Sequence, residues 1–537
     1  MFEDLIQTCI FIHSKNLILK SMSLKQILRS NYYFFALISV NIFFSCTSSN
    51  FEYSLVVNLN PYKLAPLTAE LNIVSKQPFK AAFKVLGENP IEQSFEEFGD
   101  SLTMPVVGLY PDKVNKVLVT LNYDGGMVTD TVEIKTKPIP SAFPRIEINK
   151  LNRQSMEPGF HACDFHFANF GKFNSTPLFF DDEGIIRWYL DLSFANEMMG
   201  PFQRLSDGTI LVVNRHEIYE FDMLGKLIKQ TEIDNNYGMH HDVLELPNGN
   251  LLICVGTRDA FIEVGGESIQ SDSDFIILYD RKNSKIIKEW DLAKHMDVSR
   301  DDVNFLRPGD WLHMNALVYD EKDQSIIVSG KNQGLIKITM DDELKWIMAP
   351  KNNWGKSGRL GQGENTSPFL LTAINSNNSE YNNAVQDGFK SDAEFDFSWG
   401  QHAPKLLPNG NLLVFDNGSH RNYNDINNYS RAVEYEINDE KKTIKQVWQY
   451  GKERGEGMFS AIVGDVDYLP TTKNILVTSG HISPQNNHSG KIIEVNQQSG
   501  EEVFEATIYY KSVRGQKISG WGQMDILYRS DRMQLKY

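Results

Sequence analysis

Three histidines of this 537-residue chain fall in register with a recurring turn. His241 lies nine residues before Asn250 and His402 nine before Asn411, each ahead of a Pro-Asn-Gly-Asn turn, and His313 lies twelve before Ser325. An imidazole with its ordinary pKa near ~6.5 is largely neutral at pH 7, so one ring offers a free nitrogen as nucleophile and another a proton. His240, Asp242, Trp311, Asn315 and Gln401 stand beside them. The strands that follow the turns lead to Arg258, Lys331 and His420-Arg421, with His481 in the last repeat. A lone histidine in a β-protein is ordinarily a buried ring with its hydrogen bonds met. Three at matching positions beside cationic side chains point to a channel that takes an anion.

Side chains so far apart in sequence meet only if the chain brings equivalent points of a repeat together. One pattern recurs six times, a turn and then three or four apolar residues. It reads Ser175-Thr-Pro-Leu-Phe-Phe, Asp207-Gly-Thr-Ile-Leu-Val, Pro247-Asn-Gly-Asn-Leu-Leu-Ile, Asp323-Gln-Ser-Ile-Ile-Val, Pro408-Asn-Gly-Asn-Leu-Leu-Val and Thr471-Thr-Lys-Asn-Ile-Leu-Val. A second apolar run follows each copy, often closed by an aromatic such as Trp188, Trp290, Trp346 or Trp448. Helical periodicity is nearly absent, which argues against TIM-barrel and doubly wound folds. The expected fold is all-β, with a six-bladed β-propeller over residues 145–537 whose inner strands line one axial cavity. Copies at Thr209, Asn250, Ser325, Asn411 and Asn474 lie 41, 75, 86 and 63 residues apart. A bare blade needs about 40–45, so long loops interrupt blades three to five, and the longest, 351–398, is expected to cap the site.

Ahead of the propeller, residues 51–137 alternate apolar and polar in short runs, the pattern of a small antiparallel β-sandwich. Pro138, Pro140 and Pro144 then form a stiff linker. Residues 1–46 read as an export segment: Lys25 and Arg29 precede an apolar run from Tyr32 to Phe44 that is too short to span a bilayer, and Ser45-Cys46 follows. Cys46 stands where a bacterial lipoprotein would be lipidated, and Met22 offers a conventional start. The expected location is therefore outside the cytoplasm, in the periplasm or cell envelope, with membrane contact only through that anchor. Monomer and homodimer are both left open.

Composition narrows the chemistry. Fifty-three basic against 69 acidic residues give −16, with no Lys/Arg run, so nucleic acid is not an expected partner. The four cysteines form no CxxC and no zinc spacing. Gly355-Lys-Ser lacks the upstream glycine of a phosphate loop, where Pro350 stands, and Gly361-Gln-Gly363 has Thr366 where a dinucleotide fingerprint needs glycine. His216-Glu-Ile-Tyr-Glu is not a zincin helix, no GxSxG is present, and Asp272-Ser-Asp274 lacks the glycine of a calcium loop. No nucleotide cofactor or metal is expected.

Four runs taken in order resemble the bacterial aryl-sulfate sulfotransferases: Met239-His-His-Asp-Val-Leu-Glu-Leu-Pro-Asn-Gly-Asn, Asp310-Trp-Leu-His-Met-Asn, Gln401-His-Ala-Pro and Phe415-Asp-Asn-Gly-Ser-His-Arg421. The resemblance implies an N-terminal β-domain and a six-bladed propeller from about Phe51 to the end. It also implies transfer of a sulfuryl group from a phenolic sulfate ester to a phenol through a sulfohistidine, with ping-pong kinetics and no nucleotide sulfate donor. Position by position, His402 matches the nucleophile, His241 (or His240) and His313 the supporting histidines, and Asn315 the nearby asparagine. Lys331 falls where that family usually has arginine, a departure because an ammonium is a point charge and a guanidinium grips two oxygens. Lys331 and Arg421 are expected to hold the sulfate oxygens. Two other readings compete: a metal-dependent propeller hydrolase or lyase using His241, His313 and His402 as ligands, and a non-catalytic exported propeller that binds a sulfated or acidic ligand.

Overall fold

The computed structural model describes residues 42–43 and 51–537 except 170–171, 196–198, 273, 301–307, 427, 484–487 and 512–523. The export segment expected over 1–46, including Cys46, lies outside the described residues apart from a two-residue strand at Ile42–Phe43.

Strict alternation produces the N-terminal sheet. In the strand Ala69–Val85 every second side chain, Ala69, Leu71 and Ile73 and then Phe79, Ala81, Phe83 and Val85, is buried. Val117, Val119 and Leu121 pair with the last three of these and continue the face. The register breaks between Val74 and Phe79. The first half of the strand therefore carries Tyr53–Leu59, and the second half carries Val114–Tyr123. The two halves of the expected sandwich are joined through the long hairpin of Ala69–Val85 with Ile91–Val106.

From residue 145 the chain forms six sheets, each with four antiparallel strands and the fifth and sixth with one added strand apiece, the blades of the propeller. In the first blade the repeated turn lies within the third strand from the axis, Lys172–Phe180; in the other five it opens the second, Ile210–Val213, Leu251–Thr257, Ser325–Gly330, Leu412–Asp416 and Ile475–Ile482. These strands are apolar without alternation because both faces are covered. Leu251, Ile253 and Val255 pack with Leu211 and Val213 of the preceding blade, while Leu252 and Cys254 pack with Ile326 and Val328 of the next. Ile327 passes the contact on to Leu412 and Val414, and Leu413 and Phe415 pass it to Ile475 and Val477.

The ring closes twice. The C-terminal strand Ile526–Met533 becomes the innermost strand of the first blade by pairing with Phe160–Asn169, and Arg145–Leu151 adds to the outer edge of the sixth beside Glu502–Tyr509. Two repeat tryptophans pin neighbouring blades: Trp188 Nε1 donates to the Met223 carbonyl (2.7 Å) and Trp346 Nε1 to the Asp439 carboxylate (2.9 Å). Segment 351–398 corrects the expectation of a cap. Thr372–Ala373 pairs with the outermost strand of the fifth blade, Thr443–Tyr450. Leu371, Val385, Phe395 and Phe397 are buried in the core between the fourth and fifth blades. The buried apolar side chains of the segment fill the outer wall, and from the segment only Ser398 lines the cleft that holds Lys331.

Candidate active site

The inner strands of the third, fourth and fifth blades, Tyr237–Glu245, Met314–Asp320 and His402–Leu406, all lose regular pairing near their starts. Register shifts fall between Met239 and Val243, Met314 and Ala316, and His402 and Lys405. His241, His313 and Ala403 take left-handed backbone, with φ of 52°, 51° and 44°. Such residues cost on the order of 1–3 kcal/mol each and persist only where the surroundings impose them. Here the distortion sets the His241 and His313 rings edge to face, with centroids 4.9 Å apart.

His402 is buried. Its Nδ1 lies 2.7 Å from Asn417 Oδ1 and 3.2 Å from the Gly400 carbonyl. The Asn417 amide nitrogen donates to the carbonyls of Ser460 (2.8 Å) and Val463 (2.7 Å), so its oxygen must face the imidazole. Both neighbours of Nδ1 are acceptors. The hydrogen therefore sits on Nδ1 and the lone pair on Nε2. Burial pushes the His402 pKa down to about 3, and the positive charges of Lys331, His313 and Arg529 add to that against the Asn417 hydrogen bond. The ring is neutral at physiological pH, with an unprotonated Nε2.

His313 is held differently. Its Nδ1 lies 2.8 and 3.0 Å from the two oxygens of Asp310, so the carboxylate accepts the Nδ1 hydrogen and orients the ring. Burial holds the His241 pKa well below the usual histidine range, and the crowding of His313, His240, His402 and Lys331 around the ring adds to that. Of the adjacent pair, His241 is the ring against His313. His240 stands behind it, Nδ1 to Nδ1 at 3.0 Å, with its pKa pushed down to about 3, mainly by burial.

Asn315, fully buried, gives one amide hydrogen to the Gln401 carbonyl (2.8 Å), tying the fourth blade to the segment that presents His402. The Lys331 amide donates to the His313 carbonyl (3.1 Å). Its side chain lines a cleft with Gln401, Ser419 and His420. Burial lowers the Lys331 pKa against the pull of Asp310, and the ammonium has no ion pair among the described residues. An unneutralised ammonium beside three imidazoles is a seat for an oxyanion.

Arg421 is a correction. Its guanidinium is spent on Asp396 and Asp416 and lies 3.9 Å from the Tyr429 ring centroid, in a buried network shared with Arg431. Asp416 also accepts from the Trp399 amide (2.8 Å). Arg421 thus anchors the stretch that leads into His402, and its one unpaired nitrogen, Nε, is buried away from any ligand. His481 lies on the second strand of the sixth blade, and none of its contacts among the described residues joins it to the three rings. Among the described residues no group of three His, Cys, Asp or Glu is arranged to hold a metal ion.

Arg529 was not anticipated from the sequence. From the C-terminal strand it donates to Asp242 (2.6 Å) and to the Asn315 carbonyl (3.1 Å), while Tyr528 donates to the His241 carbonyl (3.0 Å). It lies outside the repeat signals, and only closure of the first blade by the chain end brings it to the channel. Asp310 and Asn417 stood inside the motifs, but their roles depend on which ring nitrogen they touch.

The sequence profile of the arylsulfotransferases matches residues 147–517, and that of the arylsulfotransferase Ig-like domain matches residues 56–137. The chain is 28% identical to the arylsulfate sulfotransferase AssT of Escherichia coli O6:H1 over 71% of this chain and 76% of that protein. It is also 28% identical to AssT of Lelliottia amnigena, over 76% of this chain and 80% of that one. A solved gluconolactonase from Xanthomonas campestris aligns over 69% of this chain and 95% of its own at TM-score 0.29 and 8% identity, a likeness too slight to inform the site.

Proposed function

Because the chain belongs to the arylsulfotransferase family, we propose that it moves the sulfuryl group of a phenolic sulfate ester to a phenolic acceptor by two displacements through a sulfohistidine on His402. The observation that carries this reading is the Asn417 contact, which leaves Nε2 of a neutral His402 as the free nucleophile. Nε2 attacks sulfur, the S–O bond to the aryl group breaks, and the departing phenolate takes a proton from His313, whose Asp310 partner supports the exchange. An acceptor phenol then returns a proton to His313 as its oxygen attacks sulfur and the N–S bond breaks. A loose transition state puts negative charge on the peripheral and leaving oxygens. Lys331 suits that charge, and Arg529 adds positive potential at His402.

Initial-rate patterns with 4-nitrophenyl sulfate and a phenol test the reading: parallel double-reciprocal lines support two displacements, and intersecting lines refute them. The export reading adds that the enzyme works in the cell envelope, held by lipid on Cys46. Release from the membrane fraction on Cys46→Ser supports that location, and a cytoplasmic wild-type protein refutes it.

A further inference from the structure

A second cleft opens beside the histidines, behind His240. Arg215 lies in the turn between Ile210–Val213 and Glu217–Phe221, and Arg258 follows Leu251–Thr257 directly. Alternating strand directions put both at the end of the ring where His241, His313 and His402 start their strands. The two arginines line this cleft with His216, His240 and a single carboxylate, Asp272.

Both guanidiniums are exposed, and neither side chain has an ion pair or hydrogen bond among the described residues. In a chain of net charge −16, with arginines elsewhere pairing with Asp and Glu, two uncommitted guanidiniums in one concavity are conspicuous. The backbone makes room for one of them. Gly238 pairs with Gly256 across the ladder, and a Cβ on Gly238 would stand 3.1 Å from Arg215 Nε, so the arginine lies directly on bare backbone. His240 forms the wall between this cleft and His241, with ring centroids 5.1 Å apart.

We propose that this cleft is a carboxylate subsite, and that the preferred acceptors and donors are phenols and aryl sulfates bearing a carboxylate on the ring or on a short arm. The assignment rests on the proposed reaction at His402. A planar carboxylate offers two oxygens to a guanidinium fork, which an uncharged phenol cannot. The reacting oxygen would sit against the three histidines while the carboxylate lies toward Arg215 and Arg258.

Calorimetric titration of the intact protein with 4-hydroxyphenylacetate and with 4-methylphenol tests this without requiring turnover. Binding of the carboxylate about tenfold tighter, narrowing as salt rises and abolished in Arg215→Gln/Arg258→Gln, is the expected result. Equal affinity for the two ligands, or a preference that survives the double substitution, overturns the subsite. A parallel transfer assay with 4-nitrophenyl sulfate and 4-methylphenol separates the two claims. Its failure counts against the reaction at His402, while the titration still decides the cleft.

Discussion

The Nδ1 of His402 and the Oδ1 of Asn417 lie 2.7 Å apart, and the Asn417 amide is turned toward the ring by two backbone carbonyls behind it. One amide thus sets tautomer and ring orientation without adding a charge. A carboxylate in that place would favour the imidazolium, which has no lone pair to offer. The asparagine suits a nucleophile, as Asp310 suits a ring that exchanges protons.

Asn417→Ala removes that control and leaves His402 to rotate and change tautomer. A lost buried hydrogen bond of about 1–3 kcal/mol, felt in the displacement, corresponds to a fall in kcat of roughly 10- to 100-fold with little change in KM for the donor. Steady-state kinetics on the purified variant check this.

Lys331 places an ammonium without an ion pair among the described residues in the cleft, and its removal is expected to lower donor affinity. Lys331→Gln is expected to cut kcat/KM for 4-nitrophenyl sulfate by about 10-fold or more, and Lys331→Arg to keep it within a few-fold of the parent or raise it. A Gln variant with unchanged kcat/KM would take Lys331 out of the site.

His402 and His240 have folded pKa values pushed down to about 3, mainly by burial, against ~6.5 for an unfolded histidine. Above ~6.5 both states hold these rings neutral and they contribute nothing to pH dependence. As pH falls below ~6.5 the unfolded chain binds protons that the folded one refuses, so stability declines progressively toward pH 3. Urea midpoints should drop between pH 6.5 and 5, and less steeply in His402→Gln. Modification of His402 by an aryl sulfate, in contrast, should not slow on acidification from pH 6.5 to 5, because the nucleophile stays unprotonated.

Arg421 is a structural residue in this account. Arg421→Ala leaves Asp396 and Asp416 buried with one guanidinium fewer and should cost about 3–5 kcal/mol of stability. A lowered thermal midpoint with donor KM nearly unchanged in the folded fraction is expected. A raised KM at unchanged midpoint would return Arg421 to the sulfate.

The repeats were legible because a strand covered on both faces must be apolar throughout, as Leu251–Thr257 and Ser325–Gly330 are, and because Asn-Gly turns punctuate them. The histidines were legible because each precedes a repeated turn by a short interval, nine residues for His241 and His402 and twelve for His313. What the sequence concealed depends on pairing between distant segments. Arg529 reaches the channel only because the last strand closes the first blade, and segment 351–398 packs outward only because its aromatics find a groove between two blades. Arg421 shared a motif with the site yet faces Asp396 and Asp416, a distinction of side-chain direction that spacing does not encode. A bulge that rotates successive residues likewise brings His241, and not His240, against the His313 ring.

The central claim is a covalent sulfuryl group on one nitrogen of one histidine. Exposing the protein to 4-nitrophenyl sulfate without acceptor, quenching under alkaline conditions and mapping peptides by mass spectrometry should find one added SO3 on His402, discharged by a phenol and absent from His402→Ala. Modification at another residue, or transfer at the parent rate in His402→Ala, would contradict the account.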